Sequence, residues 1–209
     1  MKIKICGLVR KKDISFVNEA LPDYCGFVFA DSRRQVTLSE AKRLRSRLAE
    51  NVIPVGVFVN TPPAIIRVLY CDNVISIAQL HGNENEEYII RLKNESTNAG
   101  RLPPIKIIKV INADDLEKGK HLLSSADFFL IDSGAGTGKT FGWKILNSYT
   151  FGKPWFLAGG VNIDNIEQAA ALNPFAIDVS SGAETDGFKD REKILRLTKI
   201  IHGEEISDE

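Results

Sequence analysis

Eight short apolar segments recur along the chain at nearly even intervals. Most of them are near-continuous in Val, Ile, Leu and Phe rather than alternating, a pattern typical of strands that are buried on both faces of a parallel sheet. Eight such segments in 209 residues give about one in every 26 residues. The predicted strands are Lys2–Cys6, Tyr24–Phe29, Val52–Val59, Val74–Leu80, Ile105–Ile111, Asp127–Asp132, Pro154–Ala158 and Phe175–Val179.

Between these segments, apolar residues recur at three- and four-residue spacing, which predicts amphipathic helices. Pro62 stands at an acceptable first-turn position of one of them. The predicted helices are Arg10–Leu21, Leu38–Leu48, Pro62–Tyr70, Glu86–Leu92, Asp114–Leu123, a short Trp143–Tyr149, Ile163–Leu172 and Asp190–Ile201. Asn94–Pro104 is predicted to be a polar loop.

A strand followed by a helix, repeated eight times, predicts an α/β fold with a parallel sheet. Right-handed crossovers can close such units into a (β/α)8 barrel or arrange them as an open, doubly wound sheet. The equal size of the units favours the barrel, and their shortness leaves little room for insertions. We therefore expect a compact, single-domain (β/α)8 TIM barrel over residues 1–202, followed by a frayed acidic tail over residues 203–209.

Composition excludes several classes of protein. Lys+Arg and Asp+Glu both number 27, and a net charge of zero argues against a nucleic-acid or membrane-surface binder, because both need a basic excess. No apolar run approaches the roughly 18 residues of a spanning helix, and the first residues lack the apolar region of a signal peptide. Three cysteines without CxxC spacing fit neither a disulfide framework nor a zinc site. A reducing cytoplasm is the expected compartment.

In such barrels the chemistry lies at the carboxyl ends of the strands and in the loops that follow them. Polar and glycine residues stand at those places. They are Cys6 after the first strand, Arg33 and Arg34 after the second, Gln79 and His81 at the fourth, Asp132 at the sixth, Gly159 and Gly160 at the seventh, and Asp178, Ser180, Ser181 and Gly182 at the eighth.

Two glycine-containing loops predict a phosphate site. Gly159-Gly160 and Ser180-Ser181-Gly182 follow the seventh and eighth predicted strands, where this fold usually binds phosphate through backbone N–H groups. The alternative is that both are tight turns. A third loop, Gly134–Thr140, resembles a nucleotide-binding P-loop, but Ser133 stands where that pattern needs its first glycine. We interpret this third loop as a lid over the barrel mouth.

Cys6 and Asp132 are the candidate acid–base residues. A thiol has a pKa of about 8.5, so a small fraction is thiolate near neutrality, although a free cysteine is more often a small buried apolar residue. Asp132 ends an apolar strand, where loss of water would raise its pKa and let it act as an acid. The alternative for Asp132 is a helix or loop cap.

Four further side chains are candidate binding groups. Arg34 could bind a carboxylate with its planar guanidinium; Arg33 is its rival, and either could be a solvated surface charge. His81 could contact substrate or serve as a hydrogen-bonded structural histidine. Asp178 faces the predicted phosphate loops, where it would orient N–H groups or a sugar hydroxyl.

Together these motifs resemble the phosphoribosylanthranilate isomerases of tryptophan biosynthesis. The similar segments follow one another in the family's order along nearly the whole chain, so the resemblance is specific. They are Lys4-Ile5-Cys6-Gly7, Gly26-Phe27-Val28-Phe29 with Ser32–Val36, Val55–Asn60, Gln79-Leu80-His81-Gly82, Asp132-Ser133, Gly136-Thr137-Gly138, Leu157–Gly160 and Asp178–Gly182.

The resemblance implies a cofactor-free and metal-free (β/α)8 isomerase. Its reaction would be the Amadori rearrangement of N-(5-phosphoribosyl)anthranilate to 1-(2-carboxyphenylamino)-1-deoxyribulose 5-phosphate. Carried over by motif, Cys6 is the general base, Asp132 the general acid and Arg34 the anchor of the anthranilate carboxylate. Phosphate would lie against Gly159, Gly160, Ser180, Ser181 and Gly182, with Gln79, His81 and Asp178 as further substrate contacts. The partner is a small phosphosugar, and the chain is expected to be a monomer or a homodimer.

Two departures from the family and two rival functions stay open. The segment between Phe29 and Ser32 is one residue shorter than usual, which leaves Arg33 as an alternative to Arg34, and Gly142 stands where the family commonly has Asp. A related aminoaldose isomerase of histidine biosynthesis would have Asp in place of Cys6. An inactive phosphate-binding barrel would not need both Cys6 and Asp132.

Overall fold

A computed structural model describes residues 1–112, 116, 125–132 and 143–204 of the chain. Eight parallel strands follow one another around a closed barrel, and β1 pairs with β8 to complete it. This confirms the predicted (β/α)8 barrel. The strands are β1 (Lys2–Cys6), β2 (Tyr24–Val28), β3 (Ile53–Phe58), β4 (Ile77–Leu80), β5 (Lys106–Asn112), β6 (Phe128–Asp132), β7 (Trp155–Ala158) and β8 (Ala176–Val179).

Helices surround the barrel, and side-chain caps mark where several of them begin. Thr37 and Glu40 form a capping box, Asn85 accepts from the Tyr88 N–H, and Asp190 accepts from the Lys193 N–H. In the described residues the helices are α1 (Lys11–Ala20), α2 (Leu38–Arg45), α3 (Pro63–Cys71), α4 (Glu86–Ser96), α5 (Ile166–Ala170) and α6 (Arg191–His202), with 3-10 helices at Trp143–Ser148 and Ser181–Ala183. No helix in this described part has both the length and the apolar character needed to cross a membrane.

Several element boundaries differ from the sequence prediction, and two of them, at β4 and α4, have a clear cause in the structure. The β4 strand begins at Ile77, not Val74, because the N–H groups of Val74 and Ile75 bond to the Leu69 carbonyl in a turn. Helix α4 continues to Ser96, so Asn94–Ser96 is helical and not loop. The Ser96 hydroxyl accepts the Ile105 N–H at 2.9 Å and donates to the Lys93 carbonyl at 2.7 Å.

Two further differences concern short helices. Helix α5 begins at Ile166, three residues later than predicted, because the Asn165 side chain accepts the Asn162 N–H at 2.8 Å and holds that segment in a turn. The segment predicted as Trp143–Tyr149 is a 3-10 helix. Most of the predicted helix Asp114–Leu123, the loop Gly134–Thr140 and the tail at 205–209 lie outside the described residues. The domain limit at residue 202 stays a prediction.

The core has two layers. Outward-facing strand residues such as Ile3 and Ile5 pack against the helices in the larger layer. Lys4 and Cys6 alternate with them and therefore face the barrel interior. At the amino ends of the strands the interior is filled by four rings with neighbouring centroids 5.4–5.8 Å apart, those of Tyr24, Phe128, Phe156 and Phe175.

A hairpin follows β8 and extends the carboxyl rim. It consists of β9 (Glu184–Thr185) and β10 (Phe188–Lys189), paired antiparallel. The Phe188 ring lies 4.4 Å from the Arg10 guanidinium carbon, which holds the hairpin against the segment that leads into α1. The hairpin therefore lies beside the strand ends where functional residues were predicted.

Candidate active site

A cavity of about 470 Å³ opens at the carboxyl ends of the strands. The structure brings ten of the eleven predicted site residues to its wall. They are Cys6, Arg34, Gln79, His81, Asp132, Gly159, Gly160, Asp178, Ser180 and Ser181. The eleventh, Gly182, lines a second cavity of about 390 Å³ that shares Gly160 and Ser181 with the first.

Cys6 ends β1 and is 7% exposed, with its thiol on the cavity wall. Burial raises the pKa of this thiol, and the ammonium groups of Lys4 and Lys189 offset that effect only in part, while the Asp178 carboxylate adds to it. In the ligand-free protein the thiolate is therefore a minority form near neutral pH. Its electrostatic surroundings are nevertheless cationic on two sides.

Lys4 is a feature that the sequence analysis missed. Its side chain is fully buried inside the barrel, and Nζ lies 2.9 Å from each carboxylate oxygen of Asp178. Burial lowers the pKa of Lys4, but the Asp178 carboxylate and Cys6 together outweigh it and hold the net pKa above its ordinary value. The signal was present in the sequence, since a lysine two residues before Cys6 on a strand must share its inward face. The predicted substrate contact of Asp178 stays a prediction.

Asp132 ends β6, and its side chain is about one quarter exposed. His81, which follows β4, places Nε2 3.5 Å from Asp132 Oδ2. The structure thus brings together two candidates that lie 51 positions apart in the printed sequence. The expected rise in the Asp132 pKa stays a prediction.

Gln79 lies on the cavity wall with 3% exposure. Among the described residues its amide oxygen Oε1 has no hydrogen-bond partner. A buried amide oxygen normally has a partner, so one that is unsatisfied in a cavity wall indicates a position that a ligand donor can fill.

The two predicted phosphate loops lie against each other. A Cβ atom on Gly182 would stand 2.0 Å from the Val161 carbonyl oxygen, so only glycine permits this approach. Lys193, in the first turn of α6, lines the same small cavity and donates to the Glu184 carbonyl at 2.7 Å. Lys193 was not among the sequence candidates, although its place in the first turn of the eighth predicted helix, shortly after the predicted phosphate loop, could have indicated it.

The two arginines after β2 differ in position. Arg34 lines the cavity with its side chain 21% exposed, whereas the side chain of Arg33 is 56% exposed. Both contact Glu184, which the sequence analysis did not single out. The geometry thus favours Arg34 as the arginine that faces a ligand.

Within the described ranges no group of three or more His, Cys, Asp or Glu side chains is placed to hold a metal ion. The P-loop-like segment Gly134–Thr140, with Ser133 and Gly142 beside it, lies outside those ranges.

A closed (β/α)8 barrel with a thiol, a carboxyl group and glycine loops at its carboxyl rim has the arrangement of a barrel enzyme. Residues 3–199 match the family model described as N-(5'-phosphoribosyl)anthranilate (PRA) isomerase. A relative of that name from Clostridium acetobutylicum is 45% identical over 208 residues, covering 94% of this chain and 96% of the relative.

Two solved structures of proteins with that name superpose closely on this chain. Monomers generated from the dimeric phosphoribosylanthranilate isomerase of Thermotoga maritima superpose with a TM-score of 0.81 and 31% identity, over 97% of this chain and 99% of that one. An isomerase in complex with reduced 1-(o-carboxyphenylamino)-1-deoxyribulose 5-phosphate gives 0.78 and 32%, with the same coverage.

The chain belongs to the N-(5'-phosphoribosyl)anthranilate isomerase family. It is an isomerase of tryptophan biosynthesis that converts N-(5-phosphoribosyl)anthranilate to 1-(2-carboxyphenylamino)-1-deoxyribulose 5-phosphate. The resemblance inferred from the sequence motifs is confirmed.

Proposed function

We propose that Cys6 is the general base and Asp132 the general acid of this isomerisation. The observation that carries the proposal is their common cavity, which also has Arg34 on its wall and the two glycine loops at its edge. One acid and one base suffice for the rearrangement, so the proposal needs neither metal nor cofactor.

The chemistry assigns one proton transfer to each group. Asp132 gives its proton to the ribose ring oxygen as the C1–O bond breaks, and the nitrogen lone pair forms the C=N bond of a Schiff base. The iminium acidifies the C2 hydrogen, which the Cys6 thiolate removes. The electrons of that C–H bond form C1=C2, and the resulting enolamine tautomerises to the ketone.

The surroundings of Cys6 suit this role in a specific way. A base whose pKa is raised is present at low fraction but accepts a proton more strongly. The Lys4 and Lys189 ammonium groups lower the pKa of Cys6 against the larger effect of burial, so they maintain the thiolate fraction. Lys4 is in turn held in place by Asp178.

Binding groups are proposed at both ends of the substrate. Arg34 holds the anthranilate carboxylate, and Gly159, Gly160, Ser180, Ser181 and Gly182 hold the phosphate through their backbone. Gln79, His81 and Asp178 contact the sugar between them. The ligand in the related isomerase complex carries a carboxyphenyl group and a phosphate, which supports two anchors. Two anchors far apart fix the reacting carbons between them.

The compartment and the oligomeric state of the protein are also proposals. Cys6, Cys25 and Cys71 are all free, which supports a reducing compartment such as the cytoplasm. The relative from Thermotoga maritima is dimeric. For this chain, monomer and homodimer both stay predictions.

A cysteine comparison tests the base. In Cys6→Ser we expect kcat to fall by roughly 10²–10⁴, because a hydroxyl is far less ionised than a thiol. Loss of substrate fluorescence measures the rate, and thermal unfolding checks the fold. Cys71→Ser, at the partly exposed end of α3, is the matched control and should keep full activity. Near-normal kcat in Cys6→Ser would remove Cys6 from the mechanism.

A further inference from the structure

Glu184 in the β9–β10 hairpin collects three cations on one carboxylate. Arg34 donates from Nε to Oε1 at 2.6 Å and from Nη2 to Oε2 at 2.9 Å. Arg33 Nη2 lies 2.5 Å from Oε2, and Lys189 Nζ lies 2.7 Å from Oε1. The Glu184 side chain is only 5% exposed. Glu184 does not line the cavity, so it does not contact a ligand there, and any orienting effect on a ligand must pass through its partners.

Glu184 and Gly7 hold the Arg34 side chain between them. The carboxylate takes the Nε–Nη2 edge of the guanidinium, which is the two-bond geometry that orients arginine most strongly. On the other side, a Cβ atom on Gly7, whose φ is +85°, would stand 2.3 Å from Arg34 Cδ. The stem therefore lies directly on the Gly7 backbone. The two N–H groups of Nη1 stay outside the contact with Glu184.

The same carboxylate is connected to the predicted phosphate loop. Lys189, whose side chain is 1% exposed, donates from Nζ both to Glu184 and, at 3.0 Å, to the Ser180 carbonyl. The Ser180 hydroxyl in turn donates to the Cys6 carbonyl at 3.3 Å. One carboxylate thus connects the loop after β2, the end of β8 and the end of β1.

We propose that Glu184 is a positioning residue that aims the free edge of the Arg34 guanidinium at the carboxylate of the substrate. Through Lys189 it also sets the position of Arg34 relative to the phosphate loop. The proposal rests on the proposed role of Arg34 as the carboxylate anchor.

A purely electrostatic role of Glu184 predicts the opposite change in ligand affinity from a positioning role. Glu184 is an anion beside a site for an anion, so a purely electrostatic role would make ligands bind more tightly once it is removed. A positioning role predicts that ligands bind more weakly once Glu184 is removed. Arg34 then has no fixed orientation, and ordering its side chain costs free energy when the ligand binds. The sign of the change separates the two roles.

The test compares two ligands in wild type, Glu184→Gln and Arg34→Met. One ligand is reduced 1-(o-carboxyphenylamino)-1-deoxyribulose 5-phosphate, and the other is the same molecule without the ring carboxylate. In Glu184→Gln we expect the first to bind roughly tenfold more weakly, as for loss of one charge-assisted hydrogen bond, and the second to bind as in wild type. In turnover, KM should rise more than kcat falls.

The control is Asp127→Asn. Asp127 also pairs with a lysine, Lys93 at 2.9 Å, but it precedes β6 at the other end of the barrel and lies outside the cavity wall. It should leave the affinities of both ligands unchanged. Glu184→Asp is a second variant that keeps the charge but shortens the side chain, and it should show the same selective loss if Glu184→Gln does not fold.

The outcomes distinguish this proposal from the one it rests on. If Arg34→Met weakens both ligands equally, the carboxylate role of Arg34 is wrong. If Arg34→Met affects only the carboxylate ligand while the Glu184 variants leave its affinity unchanged, tighten it or weaken both ligands alike, Arg34 keeps its role and the positioning by Glu184 is overturned.

Discussion

At the amino end of the barrel interior, the rings of Tyr24, Phe128, Phe156 and Phe175 pack against one another, whereas the carboxyl end holds the buried Lys4–Asp178 pair and the amide of Gln79. Aromatic rings fill space and need no polar partner, so the first arrangement stabilises the fold directly. Buried ions must first lose their water, and their attraction often does no more than offset that loss. The carboxyl end is therefore organised for chemistry, and the amino end for stability.

The largest expected effect uses two carboxylates near opposite ends of β6. Asp132 lies in the cavity, whereas Asp127 precedes the strand and accepts from Lys93 Nζ and the Ile107 N–H. Asp132→Asn should lower kcat by roughly 10²–10⁴, with substrate affinity little changed. Asp127→Asn should instead cost on the order of 1 kcal/mol of stability and leave kcat unchanged. Steady-state kinetics and denaturant unfolding measure both. Normal turnover with weakened binding in Asp132→Asn would mean that Asp132 positions substrate and is not the acid.

The next effect breaks the aromatic end. Phe156 is fully buried and contacts three other rings. Phe156→Ala should lower the free energy of unfolding by about 3–5 kcal/mol, because it leaves a cavity in the packed interior. At a temperature where the variant stays folded, its kcat should remain close to wild type. Equal losses of stability and turnover would show that the two ends are not independent.

A smaller expected effect is the pH dependence of the alkylation rate of the Cys6 thiol. Since burial raises its pKa, the alkylation rate of Cys6 by iodoacetamide should still climb above pH 8.5, where a free thiol such as glutathione begins to level off. Below its pKa the rate should rise about tenfold per pH unit, as the thiolate fraction does. Peptide mass spectrometry separates Cys6 from Cys25 and Cys71. If the alkylation rate of Cys6 instead levelled off at a lower pH than that of glutathione, the effect of Lys4 and Lys189 on the thiol pKa would outweigh that of burial.

The smallest expected effect is the pH dependence of stability, which should differ between the carboxyl and amino ends of the barrel. Burial raises the pKa of Glu184, but its bonds from Arg34 and Lys189 outweigh burial and hold it at about 2, against about 4.3 for a free glutamate. A group whose pKa is lower in the folded state than in the unfolded state stabilises the fold at pH values above its unfolded-state pKa. This stabilisation is lost as the pH falls toward its folded-state pKa. The stability difference between wild type and Glu184→Gln should therefore shrink from pH 5 to pH 2.5. The difference caused by Phe156→Leu should stay constant over the same range, measured by urea unfolding.

Much of this fold could be predicted from the sequence, because a strand buried on both faces has to be apolar along its length. The β2 and β6 segments are such runs, and they lie within one residue of where the pattern placed them. The boundaries that failed depend on contacts made after the chain folds. The hydroxyl of Ser96 and the amide of Asn165 each redirect one segment, and neither leaves a mark in hydrophobic periodicity.

The site divides in the same way. Cys6 and Asp132 could be singled out because each ends a strand, and the fold fixes which strand ends meet. Glu184 and Lys189 escaped because they lie in a hairpin whose course depends on its own pairing. Lys4 escaped for another reason, since a lysine in an apolar strand is ordinarily taken to point toward water and here bonds to a carboxylate from β8.

The pairing of Lys4 with Asp178 has a consequence for biosynthesis. The two residues are 174 positions apart, so a ribosome adding about 5–20 residues per second makes the partner roughly 10–35 s after the lysine. During that interval the first strand has no β8 to pair with, and the ammonium that belongs inside the barrel stays in water. Closure must therefore follow the emergence of nearly the whole chain. Until then the Cys6 thiol lacks the burial that raises its pKa in the finished protein, so it is more open to oxidation.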